Sequence, residues 1–191
     1  MREFRKFIEK VFQQPSDAFP PFGNNVIEKS YNKNDFILSA GEINQYGYFV
    51  EKGFLRMYSI SENGKENIVQ FTSENGLVFD RRSLTQNTPS AYFIQAIENS
   101  RVILIKKGYV EQLIKLFPNG VDNYIHLLYT LISQLQTRVG LLIGASAEER
   151  YLNFINAHKP HLNRIPLWMI ASYLGITPES LSRIRKELVS K

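Results

Sequence analysis

The sequence predicts an α+β protein in which a domain of short strands precedes a series of helices. Three observations predict this class. Short runs of β-branched and aromatic residues, separated by turn residues, fill much of the first half of the chain. Apolar residues then recur at three- and four-residue spacing over a long stretch, and two shorter helical patterns meet at Gly175.

The composition is that of a folded protein and excludes several kinds of site. Of 191 residues, 43% are hydrophobic and 21% are charged, and none is cysteine. Disulfides, thiolate-bound iron–sulfur clusters and cysteine nucleophiles are therefore excluded within this sequence. The sequence shows no secretory segment and no run of about 18 apolar residues, so we expect a cytoplasmic protein without membrane contact.

The first 118 residues are predicted to form a helix and a β domain. Phe4, Phe7 and Val11 share one face of a short helix over residues 2–13. Asn63-Gly64 is typical of a tight hairpin, because both residues tolerate the positive φ of a two-residue turn. The predicted strands are residues 36–38, 47–50, 55–60, 67–71, 92–97 and 101–105. Short strands at this spacing favour an antiparallel sandwich, jelly roll or barrel.

A long helix with few charges is predicted over residues 119–144. It follows a short helix that Pro118 ends, and its only charged residues are Asp122 and Arg138. Its apolar positions repeat every three or four residues. A helix of this length after a small β domain is hard to bury within one subunit. The sequence therefore predicts that it pairs with the same helix of a second copy.

The C-terminal segment, residues 145–191, carries a large share of the positive charge. The whole chain has a net charge of +5, and this quarter of it contributes +3. A first helix is predicted over residues 147–157 and is ended by His158-Lys159-Pro160. A basic C-terminal domain favours a polyanionic partner.

Two further helices separated by a tight turn are predicted after it. Pro166 is expected in the first turn of the earlier helix, and Gly175 is expected to end that helix in the left-handed conformation. Thr177 is expected to cap the later helix, with Pro178 as its first residue. Ala171 is small where the two helices approach, and this order of residues is typical of a helix-turn-helix.

The last helix has one apolar face and one polar face. The apolar residues that can bury a shared face are Leu174, Ile176, Leu181, Ile184 and Leu188. The residues that remain available to duplex DNA are Thr177, Glu179, Ser180, Ser182, Arg183 and Lys186. Arg183 can donate two hydrogen bonds to guanine, and Glu179 can accept one from cytosine. The hydroxyl groups can contact phosphates or bases, and Lys186 and Arg185 offer positive charge to phosphates.

The order of these parts resembles the cyclic-AMP receptor protein family of bacterial transcription regulators. The motifs that carry the resemblance are Ala40-Gly41-Glu42, Tyr48-Phe49-Val50-Glu51-Lys52-Gly53, Gly64-Lys65-Glu66 and the helix-turn-helix, and residues 79–90 and 178–185 look most like a Bacteroidetes-type subgroup. The resemblance implies a jelly roll (double-stranded β-helix) of the cyclic-nucleotide-binding kind over residues 1–118, a dimerisation helix over 119–144 and a DNA-binding domain over 145–191. The partners that it implies are duplex DNA, a second copy of the chain and, as a further candidate, RNA polymerase.

The segment that binds cyclic nucleotides in that family is altered here. Members that bind them carry Gly-Glu and, about ten residues later, an Arg that pairs with the cyclic phosphate. This sequence has Phe79-Asp80 and Pro89-Ser90 instead, and proline offers a phosphate nothing. We therefore expect no cyclic-AMP binding and no cofactor. The candidate contacts for a different, unknown small-molecule effector are Asp80, Arg81, Arg82, Ser83 and Ser90.

Two other sensor types of the family are not expected. An iron–sulfur type needs cysteines, and a haem type needs an axial histidine in the β domain, whereas His126, His158 and His161 all lie in or near the helical part. The sequence also stops at Lys191, without room for the β-hairpin wing common in the family. We therefore expect DNA affinity to depend on the last helix and on dimerisation.

Two alternatives to DNA binding are an enzyme and a module that binds a ligand or a protein. A metal-dependent enzyme on a β-roll would need two or three histidines in the β domain, which has none. Neither a Ser-His-Asp motif nor a Gly-rich phosphate loop is present, so we predict no catalytic residues and no metal site. The other alternative is a ligand-binding or protein-interaction module with a degenerate DNA-binding domain. Such a module would show no salt-dependent affinity for duplex DNA.

Overall fold

The computed structural model describes residues 1–189 and shows a jelly roll followed by helices. The strands are β1 (Val26–Tyr31), β2 (Phe36–Leu38), β3 (Tyr46–Lys52), β4 (Leu55–Ile60), β5 (Glu66–Thr72), β6 (Leu77–Val78), β7 (Phe93–Ala96) and β8 (Ser100–Lys106). They form two four-stranded sheets, in the orders β1-β8-β3-β6 and β2-β7-β4-β5, and the neighbouring strands in each sheet are antiparallel.

The helices lie at both ends of the jelly roll and within one of its connections. They are α1 (Arg2–Phe12), α2 (Arg81–Gln86), α3 (Lys107–Leu116), α4 (Gly120–Gly144), α5 (Ala147–His158), α6 (Leu167–Leu174) and α7 (Pro178–Val189). A 3-10 segment, Lys159–Arg164, joins α5 to the stretch before α6. It begins where the sequence predicts that Pro160 ends the preceding helix.

Apolar side chains fill the jelly roll. The fully inaccessible residues between the sheets are Val50, Leu55, Ile94, Ala96 and Val102. A second cluster lies between the first sheet and α1, where the rings of Phe4 and Phe49 are 5.5 Å apart. The backbone N–H of Phe4 donates to the Glu51 carboxylate at 3.0 Å, which fixes the start of α1 to β3.

The predicted fold class is confirmed, and the structure adds two strands and a helix to it. The six predicted strands are present with small shifts of their ends, and α3, α4 and α5 lie where the periodicity predicts them. The sequence did not predict β1, because only Val26 and Tyr31 are buried in it and its residues do not alternate. It did not predict β6 or α2 either, because β6 has two residues and α2 has six, which is too short for a recognisable hydrophobic periodicity.

The hairpin between β4 and β5 is wider than the sequence predicts. The prediction of a two-residue turn at Asn63-Gly64 is wrong, because five residues separate the paired Ile60 and Glu66. Gly64 has a positive φ of 80°, but Asn63 does not. The Asn63 side chain instead accepts hydrogen bonds from the Ser61 hydroxyl and the Lys65 N–H. This local bonding stabilises the wider loop.

The C-terminal helices pack against the second sheet. Buried residues of both parts share one apolar cluster, which includes Phe54, Tyr58, Ile68, Phe154, Met169, Ile170, Ala171 and Leu174. The Ser172 hydroxyl of α6 donates to the Glu66 carbonyl at 2.8 Å and accepts from the Ile68 N–H at 3.0 Å. These contacts set the orientation of α6 on the jelly roll.

Candidate nucleic-acid interface

The turn between α6 and α7 has the geometry that the sequence predicts. Gly175 has φ 67° and ψ 34°, a left-handed conformation that favours glycine. The N–H groups of Gly175 and Ile176 donate to the carbonyls of Ser172 and Ala171 at 3.1 and 3.0 Å. Ala171 is completely buried, so a small side chain lies where the helices approach.

The start of α7 is capped by the predicted residue. Thr177 Oγ1 accepts a hydrogen bond from the Ser180 N–H at 3.2 Å, and Pro178 is the first residue of the helix. The prediction for Pro166 is wrong by one position. With ψ at 139° this residue is still extended, so it lies directly before α6, where its carbonyl accepts from the Met169 N–H at 3.0 Å.

The predicted apolar face is confirmed at its centre. Leu174, Leu181 and Ile184 are buried, and Ile176 and Leu188 at its margins are half-buried. The opposite face of α7 is open to solvent. Of the six predicted DNA contacts, Ser180 is half-buried and the exposed ones are Thr177, Glu179, Ser182, Arg183 and Lys186.

The exposed face of α7 offers both donors and an acceptor. No residue in the described range forms an ion pair with Arg183 or Lys186, so both cations are available to a ligand. Hydrogen bonds from the helix-terminal backbone N–H and from the Thr177 hydroxyl lower the pKa of the Glu179 carboxyl. Glu179 therefore stays ionised and can only accept hydrogen bonds.

Arg138 joins the long helix to both packed domains. Its guanidinium donates to the carbonyls of Ile68 and Tyr173 at 2.9 and 3.2 Å, and also to the carbonyl of Val69. It lies 4.0 Å from the centre of the Tyr173 ring. The sequence shows Arg138 only as a charged residue in an apolar helix, and none of its neighbours in the sequence indicates that it bonds to these three carbonyls.

Arg164 forms the second link between the domains. It donates to the Glu74 and Glu98 carboxylates at 2.8 and 2.6 Å. Burial raises the pKa of Glu74, but hydrogen bonds from Arg164 and from the Gly53 N–H outweigh this and lower the pKa to about 2. The sequence does not predict this link, because its partners are 90 and 66 residues away.

The segment between Asp80 and Ser90 bonds largely to itself. One oxygen of the buried Asp80 carboxylate accepts from the N–H groups of Arg82 and Ser83 at 3.0 and 3.2 Å, which caps α2. The other accepts from the Ser90 hydroxyl at 2.9 Å. The Ser83 hydroxyl donates to the Thr88 carbonyl at 2.6 Å. Asp80, Ser83 and Ser90 are all buried.

The two arginines of this segment point to different surroundings. Arg82 is exposed, whereas Arg81 is half-buried, lies 5.1 Å from the centre of the Phe79 ring and lines a cavity beside α4. Pro89 forms an isolated bridge with Ile43. The structure therefore does not bring all five candidate effector contacts to one open pocket.

Comparisons with known proteins agree with this architecture. The family model described as the cyclic nucleotide-binding domain matches residues 28–116. The chain is 32% identical to the anaerobic regulatory protein of Haemophilus influenzae and 31% identical to the fumarate and nitrate reduction regulatory protein of Yersinia pestis, over 175 residues in each case. These alignments cover 84% of this chain and 67% and 69% of the two relatives. The chain belongs to the CRP/FNR family.

This family takes its name from the cyclic-AMP receptor protein and the fumarate and nitrate reduction regulator. Membership places the chain among transcription regulators rather than among enzymes. A solved structure, FixK2 from Bradyrhizobium japonicum, matches with a TM-score of 0.75 and 22% identity over 86% of this chain and 85% of that chain. That similarity supports the jelly roll, long helix and C-terminal helices of a CRP/FNR protein. The chain spans about two thirds of the length of the two relatives named above.

The described part of this CRP/FNR chain contains neither a cluster of metal-ligating side chains nor a membrane-spanning helix. Within residues 1–189, His, Cys, Asp and Glu side chains form no group of three or more that could hold a metal ion. None of the helices in that range is long and apolar enough to cross a bilayer. His158 and His161 pack against aromatic rings, of Phe154 at 4.4 Å and Phe54 at 5.6 Å.

Proposed function

We propose that this CRP/FNR protein is a homodimer that binds a pseudo-palindromic operator in duplex DNA through α7. The observation that carries the proposal is the exposed face of α7, on which Arg183 and Lys186 have no carboxylate partner within the described residues. In the major groove Arg183 donates two hydrogen bonds to guanine O6 and N7, and Glu179 accepts from cytosine N4. Thr177, Ser180, Ser182 and Lys186 contact phosphates or neighbouring bases.

The dimer is proposed from the exposed face of α4. Seven apolar residues alternate at spacings of four and three, which is the seam of a two-helix coiled coil. They are Val121, Ile125, Leu128, Ile132, Leu135, Val139 and Leu142. Six of them are exposed in the single chain and Leu128 is half-buried. Pairing with a second copy would remove this apolar strip from water.

The proposed symmetry defines the operator. A two-fold axis along the paired α4 helices gives two equivalent copies of α7, so the half-sites should lie about 34–36 Å apart, one turn of DNA.

Each part of the chain has one proposed role. Residues 1–118 form the sensor, residues 119–144 form the dimerisation helix, and residues 145–191 form the DNA-binding domain. We also propose that the protein works in the cytoplasm and that RNA polymerase is a partner, on the basis of family membership.

The proposal includes a jelly roll that does not bind cyclic AMP. The Asp80 carboxylate already accepts three hydrogen bonds, and Pro89 stands where cyclic-nucleotide-binding members have an arginine. Of the five residues proposed for a different effector, Arg81 faces a cavity. The buried Asp80, Ser83 and Ser90 would affect effector binding indirectly, because they hold the segment in its conformation. Arg82 would contact an effector only from the exposed side of the segment.

Selection of genomic fragments tests the proposed function. The purified chain, without added ligand, is incubated with sheared genomic DNA beside an Arg183→Ala variant, and the retained fragments are sequenced. We expect the wild-type chain to enrich a shared pseudo-palindrome that the variant does not enrich. Retention of no fragment by the wild-type chain, with or without a metabolite extract, would favour the module with a degenerate DNA-binding domain.

A further inference from the structure

A cavity of about 490 Å³ lies where α4, α5, α6 and β5 meet. Its volume is in the range of sites for small organic ligands. It is separate from the exposed face of α7 and from the filled interior of the jelly roll. The basic residues that line it are Arg81, Arg138, Arg150 and His158, and none of the described lining residues is Asp or Glu.

Two of these arginines have a buried donor that the protein does not use. The Nε atoms of Arg138 and Arg150 are buried and have no hydrogen-bond partner in the described part of the chain. Both terminal nitrogens of Arg138 donate to backbone carbonyls, in three hydrogen bonds, whereas no ion pair or hydrogen bond connects the Arg150 side chain to the described residues. A buried charged donor without an acceptor destabilises the folded chain, so an acceptor from a ligand would relieve this cost.

One wall of the cavity is aromatic. The rings of Phe71 and Tyr173 are 5.3 Å apart, those of Phe154 and Tyr173 are 5.4 Å apart, and His158 packs on Phe154 at 4.4 Å. Such a wall favours a flat apolar group. The cavity thus combines an apolar surface with positive charge that no carboxylate among residues 1–189 neutralises.

We propose that this cavity binds an organic anion with a planar apolar part. The anionic group accepts hydrogen bonds from Arg150 and Arg138, and the apolar part lies against Phe71, Phe154 and Tyr173. A bare inorganic anion would leave the aromatic wall unused, and a neutral ligand would leave the arginines without a counter-charge. Leu135 and Leu142 line the cavity and also belong to the proposed dimer seam, so a second copy would border the site.

Calorimetric titration of the full chain with phenyl phosphate tests this proposal. Phenyl phosphate carries an anionic group on a flat ring, benzyl alcohol serves as the neutral probe, and inorganic phosphate serves as the bare anion. We expect saturable binding of phenyl phosphate with a Kd below about 1 mM, and binding of the other two that is at least about tenfold weaker. No saturation up to about 10 mM, or equal binding of either control probe, would overturn the proposal.

Variants locate the binding at the cavity. Arg150→Met removes the charge but keeps a long apolar side chain, and it should weaken phenyl phosphate binding at least about tenfold because the charge-assisted hydrogen bonds are lost. Arg101→Met is the matched control, because Arg101 is an exposed arginine on β8. Phenyl phosphate should also raise the Tm of the wild-type chain but not that of Arg150→Met. Equal affinity of the two variants would contradict the site, and Arg150→Gln, which also removes the charge, repeats the test if Arg150→Met folds poorly.

Discussion

At the scale of the residue, the buried Asp80 carboxylate accepts three hydrogen bonds from its own segment. It caps α2 with one oxygen and holds Ser90 with the other, and it is 5% exposed. A buried carboxylate that accepts three hydrogen bonds stabilises the folded chain, and its loss leaves several donors without an acceptor.

Replacement of this carboxylate should therefore affect stability. Asp80→Ala is expected to lower the free energy of unfolding by about 1–3 kcal/mol, because the cap and the Ser90 bond are both lost. Asp80→Asn keeps one acceptor oxygen and should lose less. Urea denaturation of the three proteins measures this, and an Asp80→Ala chain as stable as the wild type would show that these bonds contribute nothing.

The ion pairs of Arg164 predict a pH dependence. The folded pKa of Glu74 is about 2, below its ordinary value of 4.5, so protonation favours the unfolded chain as the pH falls. The contribution of Glu74 is fully present above about pH 5 and is lost towards pH 2. Because the pair is partly exposed, we expect Glu74→Gln to cost about 1 kcal/mol near neutral pH and nothing near pH 2.

Thermal unfolding across this pH range checks the prediction. The matched control is Glu111→Gln, since the pair of Glu111 with Lys107 is at 3.7 Å and mostly exposed. If the Tm of Glu74→Gln equals the Tm of Glu111→Gln at every pH, the ion pair between Arg164 and Glu74 does not stabilise the fold.

At the scale of the element, the sequence predicted what local chemistry determines. The structural effects of Gly175, Thr177 and Pro178 are local, since each determines the backbone only within a few residues. The turn, the cap and the first residue of α7 could therefore be predicted from the sequence. The pairing of Arg164 with Glu74 could not, because it depends on tertiary contacts across 90 residues. For the same reason the sequence did not show that Asp80 and Ser90 bond to each other.

The long helix α4 offers a test of the proposed dimer. Ile132 lies in the seam and is 45% exposed in the single chain. Ile132→Glu should produce monomers, because it places two like charges in an apolar interface. Ser133→Glu adds the same charge at the next residue, which is exposed and lies away from the seam, and it should leave the dimer intact. Sedimentation analysis distinguishes the two, and a dimeric Ile132→Glu chain would contradict the proposed seam.

At the scale of the whole molecule, the jelly roll sets the position of the proposed recognition helix. Ser172 fixes α6 to β5, Arg138 joins α4 to both, and Arg164 links the segment before α6 to Glu74 and Glu98. In the proposed dimer, a ligand or mutation that shifts these contacts would move α7 relative to its symmetric copy. The spacing of the two α7 helices, and with it DNA affinity, would then change.

Sequence-specific DNA binding by Arg183 is the most direct test. The measurement is fluorescence anisotropy of the selected operator and of a scrambled duplex with wild-type, Arg183→Ala and Arg101→Ala chains, repeated at two salt concentrations. We predict salt-dependent binding that favours the operator by at least about a thousandfold, an Arg183→Ala loss of about 1–3 kcal/mol per half-site, and no change for Arg101→Ala. Equal affinity of wild type and Arg183→Ala for the operator would contradict the assignment of α7 as the reader of DNA sequence.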